Sequence, residues 1–100
     1  MDKVYVISKQ EKHFYFVGEG KIETIANVSL SNNLYTSKDD ANTAIQEEMS
    51  AIKKSHTGKN YVSEDADHSY VALLDDNGRM LKSFDFKINS LLIHIDRAKD

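Results

Sequence analysis

Cysteine, proline and tryptophan are absent from this chain of 100 residues. The lack of cysteine excludes disulfide bonds, thiolate metal sites and a cysteine nucleophile, so the fold must be held together by its core alone. The lack of proline leaves glycine, asparagine and charged residues to mark the ends of helices and strands. No apolar run approaches the roughly 20 residues that a membrane-spanning helix needs.

Charge of either sign is also modest. The formal net charge is −3, with 29% charged and 40% hydrophobic residues, which is an ordinary globular composition. The length fits a single domain over residues 1–100. A nucleic-acid partner is not indicated, because phosphate binding requires a surplus of positive charge. A strand-like pattern begins at Val4, so we expect no signal peptide and a cytoplasmic location.

Two short apolar runs near the N-terminus predict a β-hairpin. Residues 4–7 and 13–17 are rich in β-branched and aromatic side chains, as strands are. The polar residues 8–12 between them have the length of a hairpin loop. Gly18-Glu19-Gly20 then ends the hairpin with flexible backbone, and residues 22–30 supply a candidate third strand.

The most complete pattern is that of one helix from Ser37 to Lys54. The Ser37 hydroxyl can accept a hydrogen bond from a free backbone N–H of the first turn, and Asp40 stands at the acidic position of a capping box. Lys53 and Lys54 lie at the negative end of the helix dipole. Gly58 is placed to stop the helix. Apolar residues at helical spacing predict a buried stripe of Ala41, Ala44, Ile45, Met49 and Ile52.

A second hairpin is predicted around Asp75-Asp76-Asn77-Gly78, which separates the apolar runs 70–74 and 80–86. A two-residue turn and a bulged three-residue turn place different side chains on the core face, so the register stays open. For residues 88–98 a helix is favoured over a strand. The helical stripe would be Ile88, Leu91, Leu92 and Ile95, and the strand alternation would be Leu91, Ile93 and Ile95.

These elements together predict an α+β domain with the order β-β-(β)-α-β-β-(α). The expected architecture is an antiparallel sheet of four to five strands with one main helix packed on one face.

No pattern in the chain indicates catalysis or metal binding. The four histidines, at positions 13, 56, 68 and 94, are never three or four residues apart, so no helix face offers a pair of ligands. No serine stands in a Gly-x-Ser-x-Gly context. Gly18-Glu19-Gly20 lacks the later glycine and the following helix of a phosphate-binding loop. We therefore expect no enzymatic activity, no metal and no cofactor.

Acidic residues and tyrosines are the stronger candidates for a binding surface. Between Glu64 and Asp76 there are five carboxylates and no lysine or arginine. This segment lacks the glycine and the terminal glutamate of an EF-hand; it is either a solvated loop or a contact for a basic protein surface. The aromatic residues of the two predicted hairpins are more than one helix can cover. Aromatic side chains left exposed on a sheet can anchor a protein interface. The candidate partner-binding residues are Glu64, Asp65, Asp67, Asp75, Asp76, Tyr61 and Tyr70.

An alternative function, nucleic-acid binding, rests on a group of basic residues near His56: Lys53, Lys54 and Lys59. Cations at the end of a helix already suit its dipole. Combined with aromatic residues on the sheet, they would suit a nucleic-acid-binding domain, with phosphates on the lysines and bases stacked on the aromatic rings. The net charge of −3 makes direct nucleic-acid binding the less favoured alternative.

Two motifs within residues 3–54 carry a resemblance to a known group of proteins. Lys3-Val4-Tyr5-Val6-Ile7 leads to Phe14-Tyr15-Phe16-Val17-Gly18, a "YVI…YFVG" opening, and Leu34-Tyr35-Thr36-Ser37-Lys38-Asp39-Asp40-Ala41 fits the helix start "(F/Y)-x-S-x-(E/D)-(E/D)-A". In both motifs the chain resembles small proteins encoded by phages and mobile elements of low-GC bacteria.

The resemblance implies a protein-binding module that inhibits a bacterial defence (CRISPR-like) or replication protein by covering its surface, as anti-CRISPR and other anti-defence proteins do. The implied partner is a host or competitor protein, including a nucleic-acid enzyme, met in the host cytoplasm. The surplus of aromatic residues, taken by itself, is also compatible with a homodimer, and the oligomeric state stays open.

Overall fold

The computed structural model describes residues 2–18, 20–65 and 68–93. The elements of this part of the chain are β1 (Asp2–Val17), β2 (Gly20–Leu30), α1 (Lys38–Lys54), β3 (Asn60–Glu64), β4 (His68–Leu74) and β5 (Met80–Ile93). All the strands pair antiparallel in one sheet of order β2-β1-β5-β4-β3, and α1 packs against it. The predicted α+β class, with an antiparallel sheet of four to five strands, is confirmed.

The first predicted hairpin is wrong, because β1 continues unbroken through residues 8–12. This stretch pairs with β2 on one side and with β5 on the other. It contains no glycine, proline or asparagine to favour a turn, and ladders on both sides satisfy its backbone. The polar character that suggests a loop belongs instead to side chains such as Lys9, whose ammonium group bonds the Glu48 carboxylate of α1 at 2.8 Å.

The chain first reverses at Gly18, where φ is 58°, a left-handed value that suits glycine. Val17 then pairs with Gly20, and β2 confirms the third strand predicted over residues 22–30. After β2, the segment that contains Tyr35 pairs with β1 where β2 has ended. Tyr5 and Tyr35 exchange two backbone hydrogen bonds of 2.7 and 2.9 Å.

The helix forms as the sequence predicts. The Ser37 Oγ atom accepts a hydrogen bond from the Asp40 N–H at 3.1 Å, and the buried stripe contains Ala41, Ile45 and Met49. Gly58, however, does not cap the helix. The C-cap is Ser55, whose φ of −75° is right-handed.

The second predicted hairpin is confirmed, and its register is that of a three-residue turn. The Asp75 N–H donates to the Arg79 carbonyl at 2.8 Å, and the Gly78 N–H donates to the Asp75 carbonyl at 3.0 Å. Gly78 has a φ of 81°, as the left-handed position of such a turn requires. Beyond the turn the ladder shifts by one residue between Leu73 and Leu74, so the turn and this irregularity together decide which side chains of β5 face α1.

Two other regions differ from the prediction. β3 forms over residues 60–64, for which no strand is predicted, because it pairs with β4 and becomes an edge strand of the sheet. The helix favoured for residues 88–98 is wrong as far as Ile93, because β5 continues and pairs with Asp2–Ile7 of β1. Residues 94–98, including Ile95, lie outside the described part of the chain.

The core lies between α1 and one face of the sheet. Side chains alternate between the two faces along each strand, so only every second residue contacts the helix. The buried cluster consists of Ile7, Ala41, Ile45, Met49, Val71, Leu73, Phe84, Phe86 and Ile88.

The described sheet is longer than the helix that covers it. The molecule measures 67 × 22 × 21 Å, and its radius of gyration of 17.1 Å exceeds the roughly 13 Å of a compact chain of this length. A 17-residue helix spans about 25 Å, whereas the 16 residues of β1 span about 53 Å. The helix in the described part of the chain is not long and apolar enough to cross a membrane.

Candidate protein-docking face

We call the side of the sheet that faces away from α1 the open face. On β1, Ser8 and Gln10 belong to it, since they alternate with the core residue Ile7. On β5, Asp85 and Lys87 alternate in the same way with core residues. The open face therefore carries a polar row across the two central strands, where the opposite face carries the core.

A groove with a cavity volume of about 240 Å³ runs across the middle of the open face. On its floor the His68 Nε2 atom lies 2.6 Å from the Asp85 Oδ1 atom. The two residues are diagonal neighbours, because Lys87 pairs with His68 and Asp85 pairs with Tyr70. The groove is lined by Ser8, Lys9, Gln10, Val28, His68, Asp85 and Lys87.

One wall of the groove is fixed by hydrogen bonds between β1 and β5. The Asn89 side-chain amide donates to the Ser8 Oγ atom at 3.1 Å, and the Ser8 hydroxyl donates to the Lys87 carbonyl at 3.4 Å. These bonds hold the hydroxyl in one orientation and leave the Lys87 side chain exposed. The groove is thus preformed rather than built by a mobile loop.

Tyrosine side chains flank the groove on the β3 side. Tyr61 and Tyr70 lie on the open face and pack edge to face, with ring centroids 6.5 Å apart and an interplanar angle of 67°. Tyr61 remains 56% exposed, whereas Tyr70 is partly buried and its hydroxyl lies 3.4 Å from the Met80 sulfur atom. An exposed ring held by a packed neighbour is typical of an interface anchor.

The groove holds charges of both signs. The charged side chains that line it are Lys9, Lys87 and Asp85, together with His68. Lys9 pairs with Glu48 of α1, and Asp85 contacts His68. Lys87 is therefore the exposed cation of the groove, and it favours an anionic contact.

Among the predicted partner-binding residues, the structure brings Tyr61 and Tyr70 together, and it places Asp65 next to the groove residue His68, whose carbonyl accepts from the Asp65 N–H at 2.9 Å. Glu64 and Asp65 lie at one end of β4, and Asp75 and Asp76 follow its other end. Seven strand residues separate these ends by about 20 Å. Asp67 lies outside the described residues. The described acidic residues thus form two separate groups.

Two of these acidic side chains are already engaged within the protein. The Glu64 carboxylate accepts a hydrogen bond from the Gln46 side chain at 2.8 Å. The Asp75 carboxylate accepts from the Arg79 N–H at 2.8 Å, and also from the Arg79 Nε and the Asn77 N–H at 2.9 Å each. The backbone bond from Arg79, joined by its side chain and by Asn77, outweighs desolvation and lowers the pKa of Asp75.

The basic residues of the alternative prediction gather at the end of α1. Lys54 and Lys59 are exposed and Lys53 is half-buried, while His56 bonds the backbone of β4. Lys53 and Lys54 belong to α1, which packs on the other side of the sheet, so they cannot form one continuous surface with the tyrosine pair. Lys59 differs, because its carbonyl accepts a hydrogen bond from the Leu74 N–H at 2.8 Å and so continues the β3–β4 ladder next to Tyr61.

The contacts of the polar side chains bear on the chemistry of the groove. His68 contacts Asp85, and the Ser8 hydroxyl contacts Asn89 rather than a basic nitrogen. Within the ranges 2–18, 20–65 and 68–93, no group of three His, Asp or Glu side chains is placed to hold a metal ion. What the groove offers is a preformed set of donors beside an exposed aromatic ring.

The groove residues are absent from the site predicted by sequence. His68 and Asp85 are 17 positions apart, and only the β4–β5 register brings them together. One signal was present in the sequence: Asp85 and Lys87 alternate with Phe84, Phe86 and Ile88, which indicates a strand with one polar face.

Comparisons with protein-family models, with curated proteins and with solved structures find no match to this chain.

Proposed function

We propose that this chain is a protein-binding module whose open face docks onto an acidic segment of a partner protein and covers it. The observation that carries the proposal is the exposed Tyr61 ring on the same face as a preformed groove with the exposed Lys87 side chain, the side of the sheet that α1 does not contact. Tyrosine provides a large contact area at a low cost in conformational entropy, and polar groups around it fix the orientation of the partner.

The chemistry of the groove indicates what the partner presents. Lys87 and Gln10 offer donors to a carboxylate, and no carboxylate of the described residues pairs with Lys87. Tyr61 on one side and Val28 on the other offer apolar contact to the flanking residues. The expected partner segment carries Asp or Glu next to aliphatic or aromatic side chains. That this partner is a host or competitor protein, inhibited by occlusion, stays a prediction from the phage-like resemblance.

The proposal can be tested without knowing the partner. A random-peptide library is displayed and selected on the wild-type protein, and selected peptides are titrated by calorimetry. Enrichment of Asp or Glu beside apolar residues is expected. Lys87→Glu should weaken these peptides at least about tenfold, or 1.4 kcal/mol, and Tyr61→Ala should weaken them similarly. Lys54→Glu, which changes an exposed lysine of α1, is the matched control and should bind as wild type.

Peptides that bind Lys87→Glu as tightly as wild type would contradict the proposal, as would a selection without acidic enrichment. Exchanging the acidic residue of a selected peptide for lysine should restore binding to Lys87→Glu if the contact is direct. A mobility shift of single-stranded DNA or RNA at low salt, lost in Lys53→Glu/Lys54→Glu, would support the nucleic-acid alternative instead.

A further inference from the structure

The last residues of β2, at the outer edge of the sheet, lack most of the devices that prevent strand pairing. Native edge strands are usually short, charged or interrupted by proline or a bulge. β2 has 11 residues, and residues 24–30 (TIANVSL) contain neither a charged residue nor proline. Val28 and Leu30 are each 65% exposed at this edge. A bulge at Ala26 interrupts the ladder with β1, and residues 27–30 beyond it are regular.

The hydrogen bonds of β2 show which backbone groups point outward. The Ser31 N–H donates to the Ile7 carbonyl at 2.8 Å, so residue 31 directs its backbone towards β1. In an antiparallel ladder these directions alternate along the strand. Ser29 therefore also faces β1, whereas the N–H and C=O groups of Val28 and Leu30 face away from it. No hydrogen bond from the described residues outside β2 reaches this outer edge.

We propose that two copies of this chain pair through β2, antiparallel, about a two-fold axis at Ser29. Val28 of one copy then lies opposite Leu30 of the other, and the same pair recurs across the axis. Each pair exchanges two backbone hydrogen bonds, because both residues direct their backbone outward. The result is a continuous sheet running through both copies.

A second copy fits this edge because the segment is self-complementary. The side chains of Val28 and Leu30 both lie on the open face. The two-fold axis therefore makes the open faces of the two copies continuous and places Val28 of each copy against Leu30 of the other. No charged residue lies between positions 24 and 31 to repel its counterpart. This inference does not depend on peptide binding in the groove, and its test uses a different readout.

A cysteine variant tests the register. At the axis, the two copies of Ser29 form a non-hydrogen-bonded pair with Cα atoms about 4.5 Å apart, a distance that a disulfide can span. The chain has no cysteine, so Ser29→Cys introduces a single thiol. Mild oxidation should convert it to a covalent dimer. Thr24→Cys, on the same strand but five positions from the axis, is the control and should stay largely uncrosslinked.

A proline variant tests the backbone bonds. Val28→Pro removes an N–H that faces outward, so it costs no bond within the monomer, and proline is accepted at such edge positions. Sedimentation equilibrium should show a reversible wild-type dimer, weakened at least about tenfold in Val28→Pro because half of the new hydrogen bonds are lost. Leu30→Lys should have the same effect. Leu92→Lys, at an equally exposed leucine (67%) on β5, should dimerise as wild type.

Circular dichroism of each variant verifies the fold. A wild-type protein that stays monomeric at every accessible concentration would overturn the proposal. Dimerisation of both Val28→Pro and Leu30→Lys with wild-type affinity would overturn it as well, as would equal crosslinking of Ser29→Cys and Thr24→Cys.

Discussion

The Nε2 atom of His56 lies 2.8 Å from the carbonyl oxygen of Leu74, and this contact joins the end of α1 to the end of β4. Because a carbonyl oxygen only accepts, Nε2 must carry the proton. Gly58 passes close beneath the contact. A Cβ atom at position 58 would lie 2.8 Å from the same Nε2 atom and 2.9 Å from the Leu74 oxygen.

Gly58→Ala should therefore destabilise the protein through crowding. The Leu74 oxygen belongs to a strand backbone and cannot move aside easily, so we expect the free energy of unfolding to fall by about 1–3 kcal/mol. Urea denaturation measures this change. Gly18→Ala is a useful comparison, because a Cβ there meets nothing within 4 Å and any loss arises from the left-handed φ of 58° alone. Wild-type stability of Gly58→Ala would show that the loop relaxes freely.

Ser37→Ala should remove the helix cap. The Ser37 hydroxyl accepts the Asp40 N–H, and its loss should lower the free energy of unfolding by about 1 kcal/mol. The matched control is Ser50→Ala, at an exposed position inside α1, where alanine is the better helix former and stability should stay level or rise slightly. Equal effects of the two substitutions in thermal or urea unfolding would contradict the capping role.

The Asp75 turn should contribute a pH-dependent part of the stability. The lowered pKa means that the folded state prefers the ionised carboxylate. This contribution is complete above the unfolded pKa, near 3.9, and is lost as the pH falls through the lower folded value. The difference in unfolding free energy between wild type and Asp75→Asn should thus narrow from about pH 5 towards pH 2.

The neighbouring Asp76→Asn serves as the control for this titration. The Asp76 side chain is exposed and forms no hydrogen bond among the described residues. Its substitution should leave the acid profile of wild type in place. If the difference in unfolding free energy between wild type and Asp75→Asn stays constant from about pH 5 to pH 2, the hydrogen bonds of the Asp75 carboxylate do not stabilise the fold.

Phe86→Ala should be the most damaging of these substitutions. Phe86 is fully buried on the central strand β5, beneath α1. Truncation removes apolar contacts and leaves a cavity, so we expect a loss of about 3–5 kcal/mol. Leu92→Ala on the same strand, at an exposed leucine, should change stability by less than about 0.5 kcal/mol. Chemical denaturation of both variants distinguishes core from surface positions.

The sequence predicts those elements whose signals are local. Ser37 caps its own helix within three residues, and Asn77-Gly78 forms its turn within the Asp75–Arg79 loop, so neither depends on distant parts of the chain. The course of residues 8–12 and of residues 88–93 is decided by partners far along the chain. Ile88 and Leu91 fit a helical or an extended pattern equally well, and pairing with Ile7 and Val4 makes the segment a strand.

The arrangement of the open face was harder to predict for the same reason. Tyr61 and Tyr70 could be named from their residue type. His68 and Asp85 become neighbours only through strand register, and a shift of one residue would turn every side chain of β5 to the other face. Residue type thus indicates candidates, whereas register decides which of them meet.

The pairing of β1 with β5 has a consequence for how the protein forms. The first strand has its central neighbour at the far end of the described chain, as in the contact of Val6 with Asn89, 83 positions away. During synthesis, β1 and β2 can associate early, but the platform for the apolar stripe of α1 is incomplete until β5 has left the ribosome. Contacts between such distant segments slow folding. We therefore expect an exposed, chaperone-accessible helix to precede the native state.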